Sequence, residues 1–257
     1  MNKLDLSGVG VALVTPFQRD GSQSVDYAAL ERLLEHCISN GVTYFVVNGT
    51  TAENPVLTAD EKQRILQFVL KITAGRIPVI FGIGGNNTHA LVEELKAFDV
   101  DGVAAILSAS PYYNKPSQEG IYQHYAALSA ASPLPLILYN VPGRTSSNIS
   151  AQTTIRLAKN FGNIIAIKEA SGNLDQITEI LLERPVDFQV LSGDDNLTFA
   201  MMALGAEGVI SVSGQGVPEV FCAMVQHMME GRWIQARAAH LSIYDLTNQL
   251  FEEGNPV

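Results

Sequence analysis

The sequence predicts an α/β protein that folds as a closed (β/α)8 TIM barrel. Eight short apolar runs lack a strict polar alternation, which is typical of parallel strands buried on both faces. Segments with helical periodicity separate them at intervals of about 20–35 residues, the size of a βαβ unit. An open doubly wound sheet is the alternative, but the Gly-rich nucleotide loop that commonly follows its first strand is missing after the first run.

The strands and helices alternate along the whole chain. Leu30 and Leu34 lie on one apolar stripe of the first helix, and Thr58 with Glu61 forms the capping box that begins the second. The predicted strands are, in chain order, Val9–Thr15, Thr43–Asn48, Pro78–Gly82, Val103–Leu107, Leu136–Asn140, Ile164–Lys168, Phe188–Ser192 and Val209–Val212.

Two further helical stretches, 218–231 and 233–252, follow the eighth strand. We therefore expect residues 1–217 to form a catalytic barrel domain and residues 218–257 to form a C-terminal helical segment.

The composition excludes several classes of protein. The 26 acidic residues outnumber the 16 Lys and Arg residues, and a net charge of −10 argues against a nucleic-acid surface. No run approaches the roughly 18 apolar residues of a membrane span, and no basic stretch followed by an apolar core marks a secretory signal. Cys37 and Cys222 form no disulfide framework. We expect a cytoplasmic protein with small-molecule substrates and neither nucleic-acid nor membrane partners.

Lys168 is the most informative residue at the strand ends. The C-terminal ends of barrel strands meet at one rim, where such barrels carry their chemistry. Lys168 ends an apolar run, so its stem should point into the barrel or its mouth. Burial disfavours the ammonium form, and a neutral amine forms a Schiff base with a ketone. A lysine that extends to solvent or pairs with Glu169 remains an equal alternative at this point.

Several hydroxyl groups and one guanidinium are predicted at the same rim. Tyr139, Thr50 and Tyr113 form a possible proton-transferring chain, although a lone tyrosine is often a core residue with a satisfied hydroxyl. Arg144 suits a substrate carboxylate, and a surface ion pair is its alternative. Thr51 lies in a segment that suits a carboxylate cradle or is a simple turn.

Metal chemistry is not expected. Asp194 and Asp195 are adjacent, but no histidine completes a ligand set near them. The histidines are scattered over helical stretches: His36, His89, His124, His227 and His240.

Five motifs lie at five of the predicted strand ends. They are Gly49-Thr50-Thr51-Ala52-Glu53, Tyr112-Tyr113-Asn114-Lys115-Pro116, Tyr139-Asn140-Val141-Pro142-Gly143-Arg144-Thr145, Ile167-Lys168-Glu169-Ala170 and Ser192-Gly193-Asp194-Asp195. In order and spacing these motifs resemble the dihydrodipicolinate synthase family. The resemblance runs from about residue 8 to the last residues of the chain.

The resemblance implies a class I aldolase-type lyase that needs no separate cofactor. It implies that Lys168 condenses with pyruvate to form an imine and that Tyr139 shuttles protons. It further implies that Thr50 and Tyr113 complete the relay, with Tyr113 supplied by the neighbouring subunit of a homo-oligomer, a dimer or tetramer.

The resemblance also implies the substrate contacts. Thr51 holds the pyruvate carboxylate, the backbone carbonyl of Ile210 lines the same pocket, and Gly193 is a further substrate-binding position. Arg144 binds the carboxylate of L-aspartate 4-semialdehyde, and the product is 4-hydroxy-tetrahydrodipicolinate, in lysine and diaminopimelate biosynthesis.

Two other functions stay open in the sequence. Sugar-acid aldolases of the N-acetylneuraminate lyase type share the Lys and Tyr of the resemblance but usually lack the Arg at position 144, which favours the synthase. A non-catalytic barrel that binds keto acids is the alternative from another class.

The sequence departs from the family pattern in three places. Ala52 stands where the family generally has Gly. Lys62 and Ala90 occupy positions of the family's lysine-effector site, so we expect weak or absent inhibition by lysine. Family members continue for some helical residues beyond Val257, so we expect a shortened C-terminal helical extension.

Overall fold

The computed structural model describes residues 4–256 and has the predicted closed barrel. The first three residues of the predicted barrel domain and the last residue of the C-terminal segment lie outside the described residues. The strands are parallel and pair in chain order, with β8 closing on β1. They are β1 Gly8–Ala12, β2 Tyr44–Val47, β3 Val79–Gly82, β4 Val103–Ala109, β5 Leu136–Asn140, β6 Ile164–Glu169, β7 Gln189–Ser192 and β8 Gly208–Ser211.

Helices connect the strands and surround the barrel. The predicted capping box of the second helix is confirmed, because Thr58 and Glu61 exchange side-chain to backbone hydrogen bonds. The helices are α1 Tyr27–Ser39, α2 Ala59–Thr73, α3 Thr88–Ala97, α4 Gln118–Ala131, α5 Pro142–Thr145, α6 Ala151–Asn160, α7 Leu174–Glu183, α8 Thr198–Leu204, α9 Pro218–Met229 and α10 Trp233–Leu250. Across residues 4–256, no helix combines the length and apolar character needed to cross a membrane.

The predicted strand ends are shifted at two positions that matter for the rim. β1 ends at Ala12 rather than at Thr15, because the Val14 N–H donates to the Gln215 side chain at 3.0 Å and leaves the sheet. β6 extends one residue past Lys168 to Glu169, which pairs with Asn140 of β5.

Two separate apolar clusters hold the barrel together. The larger lies between the strands and the helices, and the smaller fills the barrel interior. Tyr44 lies in the interior cluster, where a side chain at Gly10 would overlap its ring, and its hydroxyl donates to the Val209 carbonyl at 3.2 Å. The interior is therefore a packed core, and the site lies at its C-terminal mouth.

Candidate active site

A cavity of about 590 Å³ opens at the C-terminal rim of the barrel. Strand ends β5, β6 and β7 and the turns that follow β2 and β8 supply its wall, and the end of α10 lies across one side. The predicted site residues that line it are Thr50, Thr51, Tyr139, Arg144, Lys168 and Gly193. The structure thus gathers residues from four separate strand ends, as the motif positions predicted.

Lys168 and Tyr139 lie side by side in this cavity. They are register partners on β6 and β5, and the Lys168 Nζ lies 4.5 Å from the centroid of the Tyr139 ring. The Lys168 side chain is 4% exposed, so it does not extend to bulk solvent. Within residues 4–256 Lys168 forms no ion pair, and Glu169 points to the other side of the strand, where it contacts Asn140. Both alternative interpretations of Lys168 are therefore wrong.

Gly193 leaves the space that the Lys168 stem occupies. A methyl group built on Gly193 would lie 2.9 Å from Lys168 Cγ and 3.0 Å from Lys168 Cε. It would also lie 2.9 Å from the Ala170 Cβ. Gly193 lines the cavity, and its lack of a side chain leaves room for the lysine stem. Its role in substrate binding remains a prediction.

Thr50 and Thr51 begin a 3₁₀ turn, Thr50–Ala52, directly after β2. Thr51 is buried, and the turn is held from below by the Thr15 hydroxyl, which donates to the Ala52 carbonyl at 2.8 Å. The left-handed residue of this turn is Glu53, with φ of 54°, so Ala52 adopts an ordinary backbone conformation in place of the family's glycine.

Arg144 lies on α5, the single helical turn that follows β5. Thr145 anchors this turn, because its hydroxyl donates to the Ser147 carbonyl at 2.8 Å. The Arg144 side chain is exposed at the cavity wall, and its Nη2 donates to Asn255 Oδ1 at 3.3 Å. No carboxylate of residues 4–256 forms an ion pair with it. The guanidinium is therefore available for an anionic ligand.

Tyr113 and Ile210 do not line the cavity of this chain. Tyr113 is 86% exposed in the loop after β4, with φ of 71°. Ile210 is 1% exposed and belongs to the interior cluster below the cavity, whereas Val212, two residues further along, forms part of the wall. The role of Tyr113 in the proton relay of a neighbouring subunit remains a prediction. The role of the Ile210 backbone carbonyl in the pyruvate pocket also remains a prediction.

Asp195 is a site residue whose role the sequence did not indicate. Its Oδ2 accepts the backbone N–H groups of Val212 at 3.1 Å and Ser213 at 2.6 Å, so the carboxylate holds the turn after β8 against the cavity. The neighbouring Asp194 also lines the cavity, and its pKa is raised by burial and by the charge of Asp195. In the sequence the pair is an incomplete metal-ligand set and part of a family motif, and neither feature indicates this contact. Among the described residues, no group of three or more His, Cys, Asp or Glu side chains is placed to hold a metal ion.

The C-terminal segment also contributes to the wall, which the division into two domains did not predict. Thr247, Asn248, Phe251 and Gly254 line the cavity. The Asn196 side chain donates to Asn248 Oδ1 at 2.7 Å and joins the rim to α10.

The arrangement combines a buried amine with a phenol, two threonine hydroxyls and a guanidinium that has no ion pair within residues 4–256. The amine and the phenol are the groups that Schiff-base formation requires, a nucleophile and a proton donor. The guanidinium at the wall is suited to a carboxylate.

Comparison with known proteins agrees with this chemistry. The model of the dihydrodipicolinate synthetase family matches residues 5–257. The chain is 52% identical over 256 residues to 4-hydroxy-tetrahydrodipicolinate synthase of Parabacteroides distasonis, covering 100% of this chain and 86% of the relative. It is 51% identical to the enzyme of the same name from Phocaeicola vulgatus, covering 98% and 84% of the two chains.

Solved structures give the same result. The crystal structure of dihydrodipicolinate synthase from Aquifex aeolicus superposes with a TM-score of 0.92 at 43% identity, over 98% of this chain and 85% of that one. A structure described as a monomeric dihydrodipicolinate synthase variant has a TM-score of 0.94 at 37% identity, over 98% and 84% of the two chains. The chain therefore belongs to the dihydrodipicolinate synthetase family.

Proposed function

We propose that this protein condenses pyruvate with L-aspartate 4-semialdehyde to form 4-hydroxy-tetrahydrodipicolinate, as a class I aldolase-type lyase of lysine and diaminopimelate biosynthesis. The observation that carries the proposal is the buried Lys168 amine, 4.5 Å from the Tyr139 ring and without an anionic partner in the described chain. The names of the curated relatives support the synthase over a sugar-acid aldolase or a non-catalytic barrel.

The reaction uses the lysine itself, so no separate cofactor is required. The Lys168 Nζ adds to the ketone carbon of pyruvate, and loss of water leaves an imine that withdraws electrons from the neighbouring methyl group. Loss of a methyl proton gives an enamine, whose carbon attacks the aldehyde. The amine of the second substrate then attacks the imine carbon, closes the ring and displaces Lys168. Tyr139 and Thr50 transfer protons in these steps, and Thr51 holds the pyruvate carboxylate.

Borohydride trapping with pyruvate tests the first covalent step. Reduction of the imine fixes pyruvate to the chain, and mass spectrometry maps the modified residue. We expect an adduct on Lys168, none in Lys168→Ala, and an unchanged yield in Lys159→Ala, which removes an exposed lysine of α6. Pyruvate that binds without an adduct would instead favour the non-catalytic barrel.

Arg144→Ala tests the second substrate. We expect the variant to keep the pyruvate adduct and to lose turnover with L-aspartate 4-semialdehyde, because the guanidinium holds the carboxylate of that substrate only. Arg64→Ala is the matched control, since it removes an exposed arginine paired with Asp60 on α2. Turnover of sialic acid in place of the semialdehyde would contradict the proposed specificity.

We further propose that the enzyme works in the cytoplasm as a homo-oligomer in which Tyr113 completes the proton relay of a neighbouring subunit. Its 86% exposure outside its own chain's cavity supports this role. Mixing inactive Lys168→Ala with inactive Tyr113→Phe tests it. Hybrid assemblies that pair an intact Tyr113 with an intact Lys168 should recover part of the activity, and full activity of Tyr113→Phe alone would count against the relay.

A further inference from the structure

Two buried polar side chains lie directly behind Lys168 and Tyr139. Asn140 ends β5 and Glu169 ends β6, and the two are register partners, as are Tyr139 and Lys168. Side chains alternate across a strand, so the first pair faces the helices while the second faces the barrel mouth. Asn140 is 0% exposed and Glu169 is 1% exposed.

Asn140 links the two strand ends through its side-chain amide. Its Nδ2 donates to Glu169 Oε1 at 3.1 Å and Oε2 at 3.0 Å, and its Oδ1 accepts the Ile149 N–H at 2.9 Å. The amide orientation is thereby fixed, because the oxygen is needed for the backbone N–H and the nitrogen for the carboxylate.

Glu169 receives two more hydrogen bonds and no cation. The Ser171 N–H donates to Oε1 at 2.7 Å, and Gln176 Nε2 donates to Oε2 at 3.1 Å. Among the ion pairs of residues 4–256 none includes Glu169. Burial raises the pKa of this carboxyl, and the hydrogen bonds from Asn140, Ser171 and Gln176 oppose the increase.

A buried carboxylate at the position of Glu169 is energetically unfavourable if it serves only to fill space. Burial of a charged group is unfavourable unless it is fully hydrogen-bonded, and an apolar side chain of similar volume often serves stability as well. An apolar side chain would not accept the Asn140 amide, and the two strand ends would then be joined only by backbone hydrogen bonds.

We propose that Glu169 is a positioning residue, which through Asn140 holds the ends of β5 and β6 in the register that keeps Tyr139 beside Lys168. This inference rests on the proposed function, since it assumes that Lys168 forms the imine and that Tyr139 transfers protons to it. The backbone ladder ends with the hydrogen bond from the Ala170 N–H to the Asn140 carbonyl at 2.8 Å, so the side-chain contact lies at the last paired position before the loops.

The inference can be tested by exchanging the hydrogen-bond donor and acceptor between Asn140 and Glu169. In Glu169→Gln an amide nitrogen replaces one acceptor and meets the donors of Asn140, Ser171 or Gln176. In the double variant Glu169→Gln with Asn140→Asp, the new carboxylate accepts from the new amide and still accepts the Ile149 N–H. Asn140 Nδ2 also donates to Asn148 Oδ1 at 2.8 Å, and Asn148 Nδ2 donates to Gln176 Oε1 at 2.8 Å, so the side-chain amides of Asn148 and Gln176 turn over to follow the exchange. The complementary pair is thus restored with its polarity reversed.

We expect Glu169→Gln to lower kcat and the rate of borohydride-trappable imine formation by about 10- to 100-fold, the range expected for misplaced reacting groups. The KM for pyruvate should change little, because Thr51 is untouched. The double variant should recover most of the lost rate. Gln176→Ala is the control, since it removes one contact to Glu169 and leaves the link between the strands in place.

Each other outcome overturns the inference. A wild-type imine rate in Glu169→Gln, a loss confined to KM, or a folded double variant that recovers nothing would show that the contact does not position the reacting pair. If Glu169→Gln fails to fold, the rate of imine formation in the double variant is by itself the test of the inference. A wild-type chain that forms no pyruvate adduct would refute the proposed function itself, which distinguishes the two failures.

Discussion

Replacing Gly193 with alanine tests whether the path of the Lys168 stem sets the reaction rate. The new methyl group would lie 2.9 Å from Lys168 Cγ, 3.0 Å from Lys168 Cε and 2.9 Å from the Ala170 Cβ. Ordinary contacts of a Cβ begin at 3.4 Å, so the overlaps amount to 3.4 − 2.9 = 0.5 Å and 3.4 − 3.0 = 0.4 Å. The lysine side chain can turn away from the new methyl group, whereas the Ala170 Cβ is fixed to its backbone, so the chain at the end of β6 must shift as well.

The overlap should lower both stability and activity. Overpacking costs about 1–3 kcal/mol, and in a chain of this size each kcal/mol lowers the unfolding temperature by roughly 2–4 °C. A displacement of the Nζ that approaches 1 Å lowers the rate by about 100-fold. We therefore expect a folded Gly193→Ala variant whose rate of pyruvate trapping and kcat fall by about 100-fold.

Gly143→Ala is the matched control, because Gly143 lines the same cavity and its added methyl group would meet no atom within 4 Å. Borohydride trapping, steady-state turnover and thermal unfolding are measured on both variants. A Gly193→Ala protein that traps pyruvate at the wild-type rate would refute the reasoning. The Lys168 side chain would then react equally well from a displaced position.

Three further outcomes follow from the structure. Tyr139→Phe keeps the ring beside Lys168 but removes the hydroxyl, so imine trapping should slow by the roughly 100- to 10,000-fold typical of a lost general acid or base; a wild-type rate would exclude the phenol from the relay. Added lysine should leave turnover almost unchanged, because Lys62, at a position that the resemblance assigns to the lysine-effector site, would repel its ammonium, and inhibition typical of a sensitive enzyme would contradict this. Burial lowers the pKa of His124 from 6.5 to about 4, so the unfolded chain takes up a proton more readily. Stability should therefore decline as the pH falls from 6.5 through 4, by up to about 3 kcal/mol, and denaturant titrations of His124→Gln should show a smaller decline.

The sequence predicted the barrel and most of the cavity wall because both follow from local patterns. Buried runs define the strands, and the residue that follows each run lies at the rim in any parallel barrel. Lys168 and Tyr139 needed only their positions at strand ends to be placed together. Tyr113 is different, because the direction of a side chain in a loop depends on a left-handed backbone angle of 71° that no local pattern indicated.

The contacts that support the site could not be predicted in this way. The link between Asn140 and Glu169 depends on the register between two strands and on the loop that brings the Ile149 N–H to the amide. The clearance between Gly193 and the Lys168 stem depends on which side chains face each other at the barrel mouth. Asp195 and Glu169 both belong to motifs of the family resemblance, but it is their burial in the structure that identifies their supporting roles.

At three strand ends of the rim, buried polar side chains support the residues that surround the cavity. At β5 and β6 the residues that face the mouth carry the reactive groups, while the next residue on each strand faces outward and hydrogen-bonds to its neighbour. After β7, Asp195 accepts two backbone N–H groups from the turn after β8. Because the interior below is a closed apolar core, these polar contacts are the adjustable part of the rim's geometry. Substitutions in them should therefore alter the rate of imine formation before they alter the fold, whereas substitutions of the interior apolar residues below Tyr139, such as Tyr44, should do the reverse.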